Sequence, residues 1–126
     1  MNEIYYTKEH EWLTLDGAVA TVGITNYAQH HLGDIVFVEL PDLGKDFSKD
    51  SEIAVIESVK TASEVYAPIS GRVLEINTSL EDKPEIVNTS PLEDGWLFKV
   101  EVKNPDEIKS LMGKSEYDFF VNNIDT

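Results

Sequence analysis

Two short apolar runs rich in β-branched residues constrain the fold of this chain more than any other feature. The runs cover residues 53–56 and 65–67, and the polar segment between them has one lysine, Lys60, near its middle. This pattern predicts a β-hairpin with Lys60 at its tip. No Asn-Gly or Asp-Gly pair occurs there, so we expect a type I turn or a slightly longer loop in which every φ is negative.

Length and charge limit the class of protein. The 126 residues suit one domain, and we expect residues 1–126 to form it, with a core at about 3–103 and a helical extension at about 104–126. There are 24 acidic and 10 basic residues, a net charge of −14, which repels nucleic acid and anionic membranes and favours basic protein surfaces. Cysteine is absent, so any sulfur chemistry has to come from an attached group.

The beginning of the sequence predicts a cytoplasmic location. The first six residues, Met-Asn-Glu-Ile-Tyr-Tyr, contain no basic segment followed by an apolar run. No later stretch approaches the roughly 18 consecutive apolar residues of a membrane-spanning helix. We therefore expect no targeting or membrane-spanning segment in this sequence.

Further strands are indicated on both sides of the lysine segment. Asp16-Gly17 separates strand-like residues 12–15 and 18–24, and this pair readily takes the positive φ angles of a tight hairpin. Residues 35–40 are apolar at nearly every position, which predicts a strand covered on both faces near the centre of the core. Residues 96–103 alternate in polarity, as a half-buried antiparallel strand does.

One helix and one loop complete this part of the chain. Thr25 can cap a helix over residues 26–32, which Gly33 would end in a left-handed conformation. Residues 71–77 predict another strand, and residues 78–91 a polar surface loop.

The C-terminal residues change to a helical period. Asn104 as N-cap and Pro105 at the first helical position predict a helix that runs to about Met112 and stops at Gly113. Ser115 would then cap a second helix with an apolar stripe that packs on the strands. That stripe consists of Tyr117, Phe120, Val121 and Ile124.

No pattern in the sequence indicates catalysis or metal binding by the chain itself. His30 and His31 are adjacent, so on a helix they point in different directions, and no cysteine completes a zinc-like ligand set with His10. No Gly-rich phosphate loop or nucleophile elbow occurs. We therefore expect a protein that is not an enzyme and holds no metal.

Several segments, in order along the chain, resemble the H-protein family of the glycine cleavage system. They are His10-Glu11-Trp12, Val22-Gly23-Ile24-Thr25, residues 32–41, Glu57-Ser58-Val59-Lys60, residues 65–73, Ile86-Val87-Asn88 and Glu93-Asp94-Gly95-Trp96-Leu97. The resemblance implies a mainly β fold, a lipoyl-domain-like β-sandwich (barrel-sandwich hybrid) with short C-terminal helices. It also implies lipoic acid joined to Lys60 by an amide bond.

The resemblance implies a carrier that shuttles the aminomethyl intermediate of glycine between enzymes. The implied partners are a pyridoxal-phosphate glycine decarboxylase, a tetrahydrofolate-dependent aminomethyltransferase, a dihydrolipoyl dehydrogenase and the lipoate-attaching enzyme. In this interpretation the cofactor supplies the chemistry, and the protein supplies position and shelter.

Three further residues match family positions in a pocket for the loaded arm. Glu11 and Glu64 match positions that hold the cargo's amine, although related sequences often have Asp in place of Glu64. His31 lies where some family members line the same groove. The alternatives are solvated surface acids for Glu11 and Glu64 and a helix-surface histidine for His31. Glu57 either helps the attaching enzyme recognise the hairpin or keeps the strand edge soluble.

Other functions stay open at the level of sequence. Lipoyl domains of 2-oxoacid dehydrogenases usually have Asp-Lys-Ala around the lysine and biotinyl domains have Met-Lys-Met, and Val59-Lys60-Thr61 fits neither. An H-like protein that relays lipoate to other acceptors would have the same fold. A third alternative is an acidic interaction module without a cofactor.

Overall fold

The fold consists of antiparallel strands in two sheets. The computed structural model describes residues 3–124. The strands within them are β1 (Ile4–Tyr6), β2 (Glu11–Asp16), β3 (Val19–Ile24), β4 (Ile35–Glu39), β5 (Asp46–Phe47), β6 (Glu52–Ser58), β7 (Ala62–Tyr66), β8 (Gly71–Ile76) and β9 (Phe98–Val102). The larger sheet has the order β1-β2-β3-β9-β8-β5, and the smaller has the order β4-β6-β7. The predicted mainly β sandwich is confirmed.

Both sheets contribute to one apolar core. Its buried side chains come from the larger sheet and from the three-stranded sheet: Leu13, Val22, Val73, Phe98, Val100, Val38, Ile56 and Val65. Burying apolar surface stabilises the fold by about 25 cal/mol for each Å² removed from water. Because Ile56 and Val65 belong to β6 and β7, the body of the lysine hairpin is anchored in the core.

The hairpin predicted at Asp16-Gly17 is confirmed, with a difference at its turn. Asp16 pairs with Val19 and is the last residue of β2. Of the predicted pair, Gly17 alone has a positive φ, of 63°. Glycine at the first loop position is the requirement of a two-residue type II′ turn.

Helix α1 (Asn26–Leu32) begins and ends where the sequence predicts. The Thr25 hydroxyl accepts a hydrogen bond from the amide of Ala28 at 3.2 Å. Gly33 has φ 84° and ψ −156°, so its φ is positive as expected, but its ψ lies outside the left-handed helical region that we predicted. The conformation that Gly33 does adopt is open almost only to glycine. It lets the chain leave α1 in an extended direction toward β4.

The prediction that residues 35–40 form a doubly covered strand is wrong. β4 is an edge strand of the three-stranded sheet, and it buries Ile35 and Val38 while exposing Val36, Phe37 and Glu39. The register shifts between Ile35 and Phe37, which marks a β-bulge. A bulge changes the face to which the following side chains point, so an apolar run in the sequence became a strand with one exposed face.

The prediction that residues 78–91 form a polar surface loop is wrong in part, because the segment contains secondary structure. It has two single-turn helices, α2 (Ser79–Asp82) and α3 (Ile86–Thr89). Each helix buries one apolar side chain, Leu80 from α2 and Val87 from α3. These two residues were too isolated among polar neighbours to give a helical period.

The C-terminal segment is helical, but its boundaries differ from the prediction. The first helix is a 3₁₀ helix, Pro105–Ser110, capped by the Asn104 side chain, and the second, α4, spans Lys114–Ile124. Ser115 therefore lies inside α4 and is not its cap. Among the helices between residues 3 and 124, none has the length and apolar character needed to cross a membrane.

Candidate functional site

The predicted lysine hairpin is confirmed, and both of its strands are longer than predicted. β6 and β7 pair from Glu52 opposite Tyr66 to Glu57 opposite Ala62. Residues 59–61 connect the strands, and no residue among them has a positive φ. Lys60 lies in this connection with its side chain exposed.

Ser58 holds the tip of the hairpin in shape. Its amide donates to the carbonyl oxygen of Thr61 at 2.8 Å. Its hydroxyl oxygen accepts from the amides of Lys60 at 3.3 Å and Thr61 at 3.2 Å. One buried serine thus binds the backbone on both sides of Lys60 and gives the amides of the turn a partner within the protein.

A second set of hydrogen bonds supports the tip from below. The amide of Val59 donates to the carbonyl oxygen of Asp34 at 3.0 Å. The segment that contains Asp34 is held by Asn88 of α3, whose amide nitrogen donates to the Gly33 carbonyl oxygen and whose oxygen accepts from the Ile35 amide, both at 2.9 Å. Hydrogen bonds therefore hold the backbone on both sides of Lys60, whose side chain is exposed.

The amine of Lys60 is available for modification. Among residues 3–124, no hydrogen bond or ion pair engages its Nζ atom. Its aliphatic stem lies over Gly33, where an added Cβ would be 3.4 Å from Lys60 Cε. A neutral acyl amide can therefore replace the ammonium group without breaking any interaction within this part of the protein.

Glu11 is the most unusual acid near the base of the hairpin. It is only 2% exposed, and its two carboxylate oxygens accept from the Thr7 hydroxyl at 2.6 Å and the Tyr66 amide at 3.1 Å. Burial raises the pKa of Glu11 to about 7, although these two hydrogen bonds act in the opposite direction. A cavity of about 220 Å³ borders Glu11 and is also lined by Lys49 and Asp50. The alternative that Glu11 is a solvated surface acid is wrong.

Glu64 is exposed and lies on β7, two residues before Tyr66. Its carboxylate accepts a hydrogen bond from the Tyr66 hydroxyl at 3.0 Å, and this bond raises the pKa of Tyr66. Tyr66 thus contacts Glu64 through its hydroxyl and Glu11 through its amide. Tyr66 is six positions after Lys60, about 20 Å along an extended strand. An arm on Lys60 would therefore have to lie back along β7 to reach Glu11.

His31 lies on the exposed surface of α1. Its Nδ1 atom is 3.1 Å from the Tyr27 carbonyl oxygen, and its ring stacks on Tyr27 with centroids 4.1 Å apart. It is two residues before Gly33, over which the Lys60 stem lies. The structure therefore groups Glu11 and Glu64 around Tyr66 and places His31 on the helix that leads to Gly33. Among the described residues, no group of three or more His, Cys, Asp or Glu could hold a metal ion.

Comparison with known proteins assigns this arrangement to one family. A family model described as glycine cleavage H-protein matches residues 4–124. The chain belongs to this family. A glycine cleavage system H protein of Rhodospirillum rubrum is 50% identical over 126 residues, covering 99% of this chain and 100% of the relative. One of Parvibaculum lavamentivorans is 48% identical over 124 residues, covering 98% and 99%.

A solved structure extends the glycine cleavage H-protein comparison to the fold. The crystal structure of a glycine cleavage system H protein from Mycobacterium marinum has a TM-score of 0.84 to this chain at 36% identity. The match covers 95% of this chain and 97% of that one. The predicted family resemblance and lipoyl-domain-like fold are confirmed.

Three residues of this H-protein site were missed by sequence reasoning. Ser58 and Asn88 lie inside segments that carry the resemblance, but the resemblance assigns neither a structural role. Tyr66, which contacts both candidate acids, is likewise assigned none. Ser58 alone had a local signal, since a serine at the start of a turn often bonds the next amides. Asn88 contacts Ile35 across 53 positions, and Tyr66 contacts Glu11 across 55 positions. Contacts over such distances leave no local pattern in the sequence.

Proposed function

We propose that this protein carries a lipoyl group on Lys60 and serves as the mobile carrier of glycine cleavage. One observation supports this most strongly. In a chain of the H-protein family, a lysine with an exposed, unengaged Nζ lies on a turn whose backbone is fixed by Ser58 and by the Asp34 carbonyl group. A carrier needs such a combination, because the reactive end has to move while its attachment point stays in place.

The role of the chain's own residues follows from this geometry. When bound, the lipoyl group supplies a disulfide that accepts a one-carbon unit and electrons and is later reoxidised. Lys60 supplies the amine for attachment and a flexible stem. Tethering keeps the reactive end at a high local concentration near each docked partner. The chain itself supplies no catalytic group in this proposal.

The proposed partners are those of the family. They are a pyridoxal-phosphate glycine decarboxylase, a tetrahydrofolate-dependent aminomethyltransferase, a dihydrolipoyl dehydrogenase and the lipoate-attaching enzyme. We propose that the protein meets them in the cytoplasm, as a single lipoyl-carrier domain. Its net charge of −14 supports docking on basic protein surfaces.

We also propose that Glu11, Glu64 and His31 line the path of the loaded arm. Glu11 borders a cavity and has low exposure to water, so as a carboxylate it would attract a cationic amine strongly. Glu64, which accepts from the Tyr66 hydroxyl, would supply a second, solvated carboxylate. His31 would contact the arm near its origin, next to Gly33.

Modification of Lys60 tests the proposal directly. The protein is incubated with lipoate, ATP and a purified lipoate–protein ligase, and intact mass and peptide mapping locate any added group. We expect one lipoyl group on Lys60 and none on Lys60→Arg, because arginine keeps the charge but cannot form the amide. Lys83→Arg, at another exposed lysine, should be modified like the wild type. An unmodified wild-type Lys60 would contradict the proposal.

Labelled glycine then separates carriage in glycine cleavage from relay of lipoate. The lipoylated protein is mixed with purified glycine decarboxylase and glycine labelled at its methylene carbon. A carrier of glycine cleavage acquires the label, and Lys60→Arg does not. A lipoylated protein that acquired no label would point to the relay function.

A further inference from the structure

The β-bulge in β4 exposes apolar side chains next to the lysine. Ile35 pairs with Ser58 and Phe37 with Glu57, so Val36 is the extra residue between two consecutive pairs. In a regular ladder Val36 would face Glu57, and Phe37 would face the buried Ile56. The bulge instead turns Phe37 to the outer face, where Phe37 is 49% exposed and Val36 is 53% exposed.

These residues form an apolar surface at the tip of the hairpin. Val59, which adjoins Lys60, is 70% exposed, and its amide is bonded to Asp34, two residues before Val36. The tip surface, as we call Val36, Phe37 and Val59, thus contains three of the eight large apolar side chains that are exposed among residues 3–124. Neighbouring apolar exposure of this kind marks interaction sites more often than single exposed residues do.

Negative charge surrounds the tip surface. Glu57 lies opposite Phe37, and on the same outer face Glu39 and Glu64 flank Val55. None of the three strands β4, β6 and β7 contains a lysine or arginine. A partner for this face should therefore have an apolar socket with a basic rim.

We propose that the tip surface docks the enzyme that acylates Lys60. This inference is based on the proposed function. Amide formation joins Nζ to the carbonyl carbon of an acyl adenylate, expels AMP with the electron pair of the broken C–O bond and releases one proton from the amine. Because the new bond forms at Nζ itself, the attaching enzyme has to cover the residues beside Lys60.

Enzymes that act on the distal end of an attached arm do not meet this requirement. The reacting atoms then lie at the far end of the lysine and acyl chains, so contact with Val36 and Phe37 is unnecessary. Val59 adjoins Lys60 in the sequence, and Val36 is three residues after Gly33, over which the Lys60 stem lies. This position of the tip surface, at the attachment point of the arm, selects the attaching enzyme among the proposed partners.

Steady-state lipoylation kinetics test the inference with a matched pair of variants. Phe37→Ser removes the central side chain of the tip surface, and Phe119→Ser removes an equally aromatic side chain, 71% exposed, on α4. With the apo protein as varied substrate of a lipoate–protein ligase, we expect Phe37→Ser to raise KM about tenfold with little change in kcat. Phe119→Ser should behave like the wild type.

A second variant keeps the test decisive if Phe37→Ser is unstable. Val36→Ser changes the extra residue of the bulge and should also raise KM, and thermal unfolding verifies that each variant is folded. Equal KM values for the wild type, Val36→Ser and any folded Phe37→Ser would overturn the inference. The inference also fails if both variants are lipoylated normally but, once lipoylated, are loaded poorly by glycine decarboxylase. A wild-type protein that is never modified contradicts the proposed function instead.

Discussion

Glu11 is a carboxyl group that folding removes almost entirely from water. Its hydrogen bonds from Thr7 and Tyr66 compensate only part of the cost of burying its charge, so the protonated form is favoured up to pH about 7. An unfolded chain would release this proton near pH 4.5. The buried acid therefore makes the stability of the protein depend on pH.

Glu11→Gln should reveal this dependence. Below pH 4.5 both states of the wild type hold the proton, and Glu11 gives its full contribution to stability. Between pH 4.5 and about 7 only the folded state keeps it, so the contribution falls by about 3 kcal/mol and then stays constant. The glutamine variant lacks this loss. Denaturant unfolding of both proteins from pH 4 to 8 measures the difference, and the other acids cancel because both proteins contain them.

The same variant tests the proposed pocket. Glu11→Gln should leave lipoylation of Lys60 unchanged, because Glu11 contacts the far end of β7. Above pH about 7, where Glu11 is a carboxylate, the variant should shorten the lifetime of the loaded arm, because a neutral amide attracts a cationic amine less strongly than a carboxylate. A difference in stability that does not vary with pH would contradict the raised pKa, and an unchanged lifetime would remove Glu11 from the pocket.

Asn88 connects three elements beneath the lysine. From α3 its side chain reaches Gln29 in α1, Gly33 at the end of that helix and Ile35 at the beginning of β4, each at 2.9 Å. The adjoining Asp34 carbonyl group then holds Val59. We infer that Asn88 positions Lys60 through this segment without touching it.

Asn88→Asp should loosen the tip of the hairpin. The aspartate can still accept from the Ile35 amide, but it places an acceptor against the Gln29 and Gly33 oxygens and donates nothing to them. We expect a loss of about 1–3 kcal/mol in stability, faster hydrogen exchange at the Val59 amide and a lower kcat/KM for lipoylation.

Asn77→Asp is the matched control for this change. Asn77 also donates two hydrogen bonds, to the carbonyl oxygens of Asp94 and Trp96. Its loss should destabilise the protein without selectively increasing Val59 exchange. Equal effects of the two variants on Val59 and on lipoylation would indicate that Asn88 has only a general structural role.

At the scale of elements, the sequence predicted those that depend on neighbouring residues. The two hairpins and the caps of α1 follow from turn residues and alternation within about ten positions. The exposed face of β4 does not, because the bulge depends on pairing with β6, about twenty positions away. The role of Glu107 also depends on a distant residue. It is three residues after the cap Asn104, but its carboxylate accepts from the amide and hydroxyl of Ser70, and the segment that contains it forms a 3₁₀ helix.

At the scale of the whole molecule, Tyr117 joins the C-terminal helix to the sandwich. Its ring stacks on Tyr6 with centroids 4.4 Å apart. Its hydroxyl lies 2.8 Å from both His10 Nδ1 and Thr25 Oγ1. Burial raises the pKa of Tyr117 to about 12, so the hydroxyl stays protonated at physiological pH. Tyr117 thus packs as the apolar stripe predicts, and Phe120 and Val121 pack against the same cluster, whereas Ile124 is exposed.

Tyr117→Phe should weaken this attachment while leaving the carrier site intact. It keeps the stacked ring and removes the hydroxyl, so we expect a loss of about 1–2 kcal/mol in the free energy of unfolding and faster hydrogen exchange in α4. Lipoylation of Lys60 should keep its wild-type kcat/KM. Tyr5→Phe, on β1 next to Tyr6, is the control, because no hydrogen bond of the Tyr5 hydroxyl occurs within residues 3–124. A fully stable Tyr117→Phe would mean that stacking alone holds α4.

The candidate site was predictable in part. Lys60 followed from the hairpin pattern and the family resemblance, whereas Glu11 and Glu64 followed from the resemblance alone. Their meeting at Tyr66 did not, because it depends on how β2 packs beside the end of β7. The burial of Glu11 was equally hidden, since its neighbours His10 and Trp12 do not indicate on which side of the sheet the carboxylate lies.

The strands of the three-stranded sheet contain no basic residue, so the charge of this sheet near its tip depends on Lys60. Lys60 is the sole lysine or arginine between Glu52 and Tyr66, and acylation makes it neutral. The hairpin thus turns from a mixed to a purely anionic ribbon when its cargo arm is installed. A partner with a cationic docking surface is therefore attracted more strongly to the acylated hairpin than to the unmodified one.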